Sequence, residues 1–345
     1  MTLFLAAVLI VSLFGVKVTK ANADCLTRSS TSAVNGVFVL LVMLSHGVGY
    51  LPQTGALDAW YLAVRAFLGQ LVVATFLFYS GYGIHRQLSS RGEAYAKTLF
   101  TNRFLKVLFH FDLAVALFLL VQTLLGERYP AKTIALSFVA WEKVGNSNWY
   151  IFAVLCLYLA VFAAYNLIRK NDLAALIAVT VLTGGYVILL ARFGNRPSDC
   201  WYNTVFCFPA GMWFSRYADK LLPFLQRKWT LWTASLLLTA ALTVFLVNTR
   251  DPWLYNLRAV AFALFIVLVT MKVKIGNKAV CFAGALTFWI YILQRLPYIL
   301  LKKAGLVNVD PYLYIAVCIA VTIPLAFGAD KLVGMLDRVI WKKKT

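Results

Sequence analysis

An all-α, polytopic transmembrane helix bundle is the fold class this sequence predicts, on three observations. The 345 residues are 62% hydrophobic and 13% charged, with a mean hydropathy of +0.78, more apolar surface than a soluble domain of that length hides. Long apolar stretches recur along nearly the whole chain. The basic residues fall almost entirely between those stretches, and unequally on alternate sides.

Eleven stretches approach or reach the roughly 20 residues that a helix needs to cross a bilayer. They lie at 2 to 18, 34 to 51, 59 to 84, 104 to 125, 148 to 168, 173 to 193, 203 to 217, 230 to 248, 254 to 272, 281 to 301 and 312 to 334. The stretch from 203 to 217 is short and reads as tilted, broken or re-entrant. Residues 1–30 read as an extra N-terminal helix with its connecting loop, and 31–345 as one membrane domain. Ala21-Asn22-Ala23 resembles a cleavage site, but a signal peptide carries its positive charge ahead of the apolar run, and here Lys17 and Lys20 follow it. The first helix is therefore expected to be retained.

Of the 33 Lys and Arg, 22 fall in 17 to 33, 85 to 106, 169 to 172, 216 to 229, 272 to 280 and 331 to 344, and eight in the alternate loops. The positive-inside rule makes the richer side cytoplasmic. A multi-pass protein of the plasma or inner membrane follows, with Lys342, Lys343 and Lys344 at a cytoplasmic carboxy terminus. The net charge of +20 thus reads as topology and not as a nucleic-acid interface. The six cysteines show no CxxC or Cys/His spacing, so no metal site is expected. Only Cys200 and Cys207 lie close enough along the outer face to join, and free thiols are the expectation.

The remaining cations, Arg65, Arg258 and Arg295, lie inside the spans, as does His46 in the apolar run from Val34 to Leu51. At about 1.5 Å of rise per residue, all four reach the outer third to half of the bilayer. Each is costly to bury, so they read as one pocket for an anion, an oxyanion or a sugar; the other reading has the arginines snorkelling and His46 bonding a neighbour. At the inner face Arg103 and Lys106 are three apart, which places them on one helix face. They read as a grip on a phosphorylated donor or as ordinary positive-inside charge. His110 and Asp112 line a route or pair with neighbours, and His85 reads as a solvated loop residue.

The chain resembles the acyltransferase 3 family of integral-membrane acyltransferases from about residue 33 onward. Asn35-Gly36-Val37-Phe38, with His46 eleven residues after Asn35, is similar to that family's first helix. Phe76 to Tyr82 resembles its FxxSG-type helix end, Arg103 and Lys106 its RxxR motif, Ser147 to Ile151 its loop-to-helix segment with a Trp, and Ile290 to Arg295 its late IYLxH-like helix. Asn35 and Lys106 stand where the family has Arg, and Gln294 where many members have His.

The resemblance implies ten helices, to which the first helix here is an addition. It implies an O-acyltransferase moving an acyl group, usually acetyl, from cytoplasmic acyl-CoA, a co-substrate and not a bound cofactor, to a hydroxyl of a cell-surface or lipid-linked glycan. On that reading His46 is general base or transient acyl carrier, and Arg103 and Lys106 hold the CoA phosphates. Asn35, Arg65, Arg258, Gln294 and Arg295 are the candidates for the acceptor or oxyanion pocket, and Ser80 and Trp149 for its lining. The rival is a transporter or flippase of a lipid-linked saccharide, but the sequence holds no second copy of any segment. A polymerase would carry a larger outer loop than 126 to 148.

Overall fold

The computed structural model describes residues 1–52, 55, 58–169, 171–194 and 198–341. Lys342, Lys343 and Lys344 lie outside the described residues, as does part of the 52–58 loop. The chain forms α1 (Thr2–Leu13), β1 (Lys17–Val18), α2 (Arg28–Val48), α3 (Ala59–Leu68), α4 (Ala74–Leu99), α5 (Lys106–Leu124), α6 (Ala131–Ser137), α7 (Trp149–Leu167) and α8 (Asp172–Phe193). It continues with α9 (Cys207–Arg227), α10 (Trp229–Phe245), α11 (Pro252–Thr270), β2 (Val273–Lys274), α12 (Lys278–Ala285), α13 (Thr287–Leu293), α14 (Arg295–Lys303), α15 (Leu306–Val309) and α16 (Pro311–Ile340). Short polar side chains at the ends of the apolar runs set the boundaries. Asn171 accepts the Ala174 N–H ahead of α8, and Asp251 and Asp310, each followed by Pro at the first helical position, cap α11 and α16.

Among the described residues six helical segments are long and apolar enough to cross a membrane, or eight if each of two bent pairs counts as one span. The bends account for much of the difference from eleven stretches. α9 and α10 turn through 109° at Lys228, outside the 203–217 run, in which α9 is unbroken from Cys207, and α12 turns 66° into α13 and α14. α1 has 12 residues, about 18 Å of helix, and packs on α2 and α3. Beyond it β1 pairs antiparallel with β2, Lys17 opposite Lys274.

Two helix pairs form the frame, and each is closed by a reciprocal pair of glycines. A Cβ on Gly36 of α2 would lie 1.8 Å from the Val280 carbonyl oxygen of α12, and one on Gly284 of α12 would lie 1.7 Å from that of Ser32. Between α4 and α9, Gly81 meets the Phe208 carbonyl and Gly211 that of Phe78, each 2.0 Å from where a Cβ would stand. Backbones that approach this closely gain the packing contact that replaces hydrophobic association inside a bilayer.

The inner loop expected from 85 onward is helical instead. α4 runs on to Leu99 and turns at Gly92, whose φ of +53° falls where only glycine is unstrained. The turn brings Arg103 to the same cavity as Ser80, which a straight helix would hold about 34 Å away. Residues Phe100–Leu105 then form a π-helical turn before α5.

Candidate active site

His46 lies near the end of α2, and a cavity of about 430 Å³ opens beside it. Three walls surround the ring. The first comes from the broken span: α3 stops at Leu68, Gly69 takes a φ of +47°, and a 3-10 turn Gly69–Val73 leads into α4. That break turns Arg65, Gly69, Gln70 and Val73 toward the cavity. The second wall is Trp149, at the start of α7, with Tyr291 of α13, whose ring centroid is 6.3 Å from that of His46. The third comes from the segment ahead of α9 and includes Ser198 and Cys200.

The polar groups here are unevenly satisfied. His46 Nδ1, Tyr291 Oη, Gln70 Oε1 and Gln294 Oε1 are buried without a hydrogen-bond partner. Arg65 Nε donates to Ser45 Oγ at 3.1 Å, and Arg295 Nε donates to Ser147 Oγ at 2.8 Å. Both guanidiniums stand close enough for their charges to act on the His46 ring, and the Gln294 side chain also reaches it. Ser147 is presented by a short polar fold in which the Asn146 side chain accepts the Val144 N–H and Asn148 Nδ2 donates to the Ala140 carbonyl. Unpaired polar atoms beside an open cavity are groups prepared for something other than folding.

Arg258 has the depth of His46 but another task. It is 2% exposed, with Nε donating to the Thr243 carbonyl at 3.0 Å and Nη2 to that of Phe67 at 2.6 Å, and it does not line the cavity. Tyr255, one turn earlier, accepts the Gln70 N–H, and Asn256 grips the 202–206 segment through the Tyr202 carbonyl and the Phe206 N–H. The start of α11 therefore fixes two of the walls from behind. Asn35 does not reach the pocket either: it lies about 16 Å from His46 along α2.

A second cavity, about 900 Å³, opens at the opposite end of α2. Its lining carries Arg28, Arg86 and Arg103 together with Thr27, Thr31 and Ser80. Arg103 Nε donates to Tyr95 Oη, Arg86 pairs with Asp219 at 2.9 Å, and Ser80 bonds Tyr158 at 3.0 Å. Ser80 thus belongs to this cavity and not to that of His46. Lys106 departs from the expectation of a shared face, because the π-helical turn ahead of it shifts the register by which residues three apart coincide. Its Nζ sits 2.7 Å from Asp337, which also takes His110 at 2.9 Å. His110 is therefore a pairing group, while Asp112 Oδ1 is buried without a partner.

His85 is also corrected. It is 2% exposed, its Nδ1 lies 3.0 Å from Ser215 Oγ, and its Nε2 faces Asp172 at 3.3 Å. Asp172 in turn takes Tyr165 Oη and Arg216. The cysteines are free; Cys207 is buried at the start of α9 and Cys200 faces the His46 cavity. No group of three or more His, Cys, Asp or Glu is placed to hold a metal among the described residues.

Residues 33–330 match the acyltransferase domain, nearly the whole chain. The chain belongs to the acyltransferase 3 family. Neither a curated protein nor a solved structure matches it. Membership makes the chain a membrane acyltransferase and excludes a transporter without covalent chemistry as its first description. On this acyltransferase the matched region takes in the His46 cavity and most of the arginine-lined one, whereas α1 and the Thr27–Thr31 edge of that second cavity, with Arg28, lie ahead of it.

Proposed function

We propose that the protein transfers an acetyl group from acetyl-CoA, bound at the arginine-lined cavity, to a hydroxyl of a cell-surface or lipid-linked glycan at the His46 cavity. The observation that carries this reading is the His46 ring, with Nδ1 unpartnered, beside an open cavity and within electrostatic reach of two guanidiniums, in a chain whose family performs acyl transfer. The arginine-lined end faces the cytoplasm, in keeping with the positive-inside distribution of the loops.

The donor site suits CoA through Arg28 and Arg103, two guanidiniums for its phosphates, while Arg86 in the same lining is paired with Asp219. Lys106, held by Asp337, leaves that set. The two cavities approach one another along α4. Val73 borders the His46 cavity and Tyr79 the other, six residues or about 9 Å apart. Only the thin pantetheine arm has to pass this septum, where Thr75 Oγ1 and Tyr79 Oη are buried without partners.

At the far end His46 takes the proton of the acceptor hydroxyl as its oxygen attacks the thioester carbonyl. The tetrahedral oxyanion then collapses, the carbon–sulfur bond breaks, and the leaving thiolate accepts the proton that His46 holds. Arg295, fixed by Ser147, and Arg65, which lines the cavity, are the donor groups for the oxyanion, with Gln294 beside His46. Labelled acetyl-CoA supplied to the full chain in nanodiscs tests the reading: label should reach a saccharide acceptor, and His46→Ala should abolish it. Equal transfer by the variant would remove His46 from the chemistry.

A further inference from the structure

We propose that Arg28 reads the 3′-phosphate of the donor, so that a segment ahead of the matched domain selects CoA over thioester carriers that lack this group. The inference rests on reading the arginine-lined cavity as the donor site. CoA carries its thioester and its 3′-phosphate at opposite ends, with the diphosphate between them. The thioester goes toward the septum, where the lining includes Tyr79, 8% exposed and with its Oη unpartnered. The diphosphate follows, and the 3′-phosphate comes last, at the mouth. The guanidiniums of the lining are graded in the same order. Arg103 is half-buried and tied to Tyr95, whereas Arg28 is exposed and lies 18 residues, about 27 Å along α2, from His46. Arg86 is paired with Asp219, but Arg28 has no carboxylate partner among the described residues. Asp24, the acid nearest to it in sequence, pairs with Lys274 at 3.6 Å. Arg28 is also the first residue of α2, where free backbone N–H groups favour an anion beside the guanidinium.

The chain before Arg28 holds it at the cavity. Beyond the β1–β2 pairing, Thr19 N–H donates to the Lys272 carbonyl at 2.7 Å. Asn22, 5% exposed, donates its N–H to the Met271 carbonyl at 2.8 Å and its Nδ2 to that of Thr270 at 2.9 Å. Gln226 Nε2 donates to the Asn22 carbonyl at 3.1 Å, and Lys272 Nζ to the Lys20 carbonyl. The strap from Lys17 to Asn22 is thus tied to the C-terminal ends of α9 and α11, and the chain enters the cavity wall at Ala23, Leu26 and Thr27, immediately before Arg28. Cys25 is fully buried and Thr27 caps α2 on the Ser30 N–H, so the short link from strap to Arg28 is fixed as well. Asn22, bonded on both sides of its backbone and through its side chain, is the positioning residue.

The test titrates the full chain, in phosphatidylcholine nanodiscs, with CoA and with 3′-dephospho-CoA, which differ only in the phosphate at issue. The wild type should bind CoA about tenfold more tightly, the scale of one charge-assisted contact. Arg28→Gln should raise the Kd for CoA about tenfold and leave that for 3′-dephospho-CoA unchanged, so the ratio falls to about one, and Arg28→Lys should restore part of it. Arg103→Gln should weaken both ligands alike and keep the ratio. Asn22→Ala should lower the ratio without weakening 3′-dephospho-CoA, which a loss of general stability would not do. Equal binding of the two ligands by the wild type, or an equal loss of both in Arg28→Gln, overturns the role of Arg28 and leaves the donor cavity standing. A ratio that Arg103→Gln abolishes and Arg28→Gln preserves overturns it too, and a wild-type ratio in Asn22→Ala removes the strap. Folded protein that binds neither ligand overturns the donor reading itself.

Discussion

Two histidines are held inside this bundle, each with one ring nitrogen that finds no hydrogen-bond partner, and they differ in what surrounds them. His85 contacts Ser215 and Asp172, and the carboxylate it faces also serves Tyr165 and Arg216, so α4, α7, α8 and α9 are tied at one end. His46 has a buried ring nitrogen without a partner, two cations within electrostatic reach and an open cavity at its side. A group tied into an ion-pair network between helices holds the fold, whereas one that faces an open cavity leaves its chemistry for a ligand. The contrast assigns His85 to structure and His46 to reaction, and both halves are open to experiment.

The largest effect is expected at His46. Replacement by Ala should lower the acyl-transfer rate by about 10²- to 10⁴-fold, the range for a general base, while the protein still accumulates in the membrane. Labelled-acetyl transfer normalised to protein amount measures it. Next comes the donor end, where Arg103→Gln should weaken acetyl-CoA binding about 10- to 150-fold, and Lys106→Gln should leave it near wild type because Asp337 already occupies that ammonium. Donor titrations decide between them, and equal losses would restore the two-residue grip that the RxxR spacing suggests.

Stability should respond where activity does not. Gly284→Ala pushes a methyl onto the Ser32 carbonyl and should cost about 1 to 3 kcal/mol, read as a lower melting temperature in detergent. His85→Ala should cost a similar or smaller amount, about 1 to 3 kcal/mol, from the partners it strands. Its transfer rate per folded molecule should stay within about threefold, since a structural group adds nothing selective to the transition state. A His85 variant that folds normally yet loses transfer would end the contrast drawn above.

The class of fold was legible because composition and apolar run length report directly on the solvent a chain occupies. His46 was legible for the same reason: a titratable ring is conspicuous among Val, Leu and Met. Depth arithmetic set Arg65, Arg295 and Arg258 at one level with His46, but depth gives a level and not a direction around the helix: the first two stand within electrostatic reach of the ring, whereas Arg258 faces backbone carbonyls behind the wall. Lys106 was misplaced because a π-helical turn leaves no mark in residue spacing. His85 looked solvated because α4 continues past its apolar part through polar sequence. The glycine locks escaped notice because each contact takes one glycine from each of two helices distant in sequence, so no GxxxG motif marks either helix.

The septum of about 9 Å between Val73 and Tyr79 has an electrical consequence. With water-accessible space on both sides, most of the membrane voltage falls across that short stretch and not across the full bilayer. Moving one elementary charge through it would involve about 2.3 kcal/mol per 100 mV. On the proposed reading, a donor that leaves its phosphates with Arg28 and Arg103 and sends only a neutral thioester arm across would do no work against that field. Acyl export by this route is electrically silent, and its rate should not change when the membrane potential is collapsed.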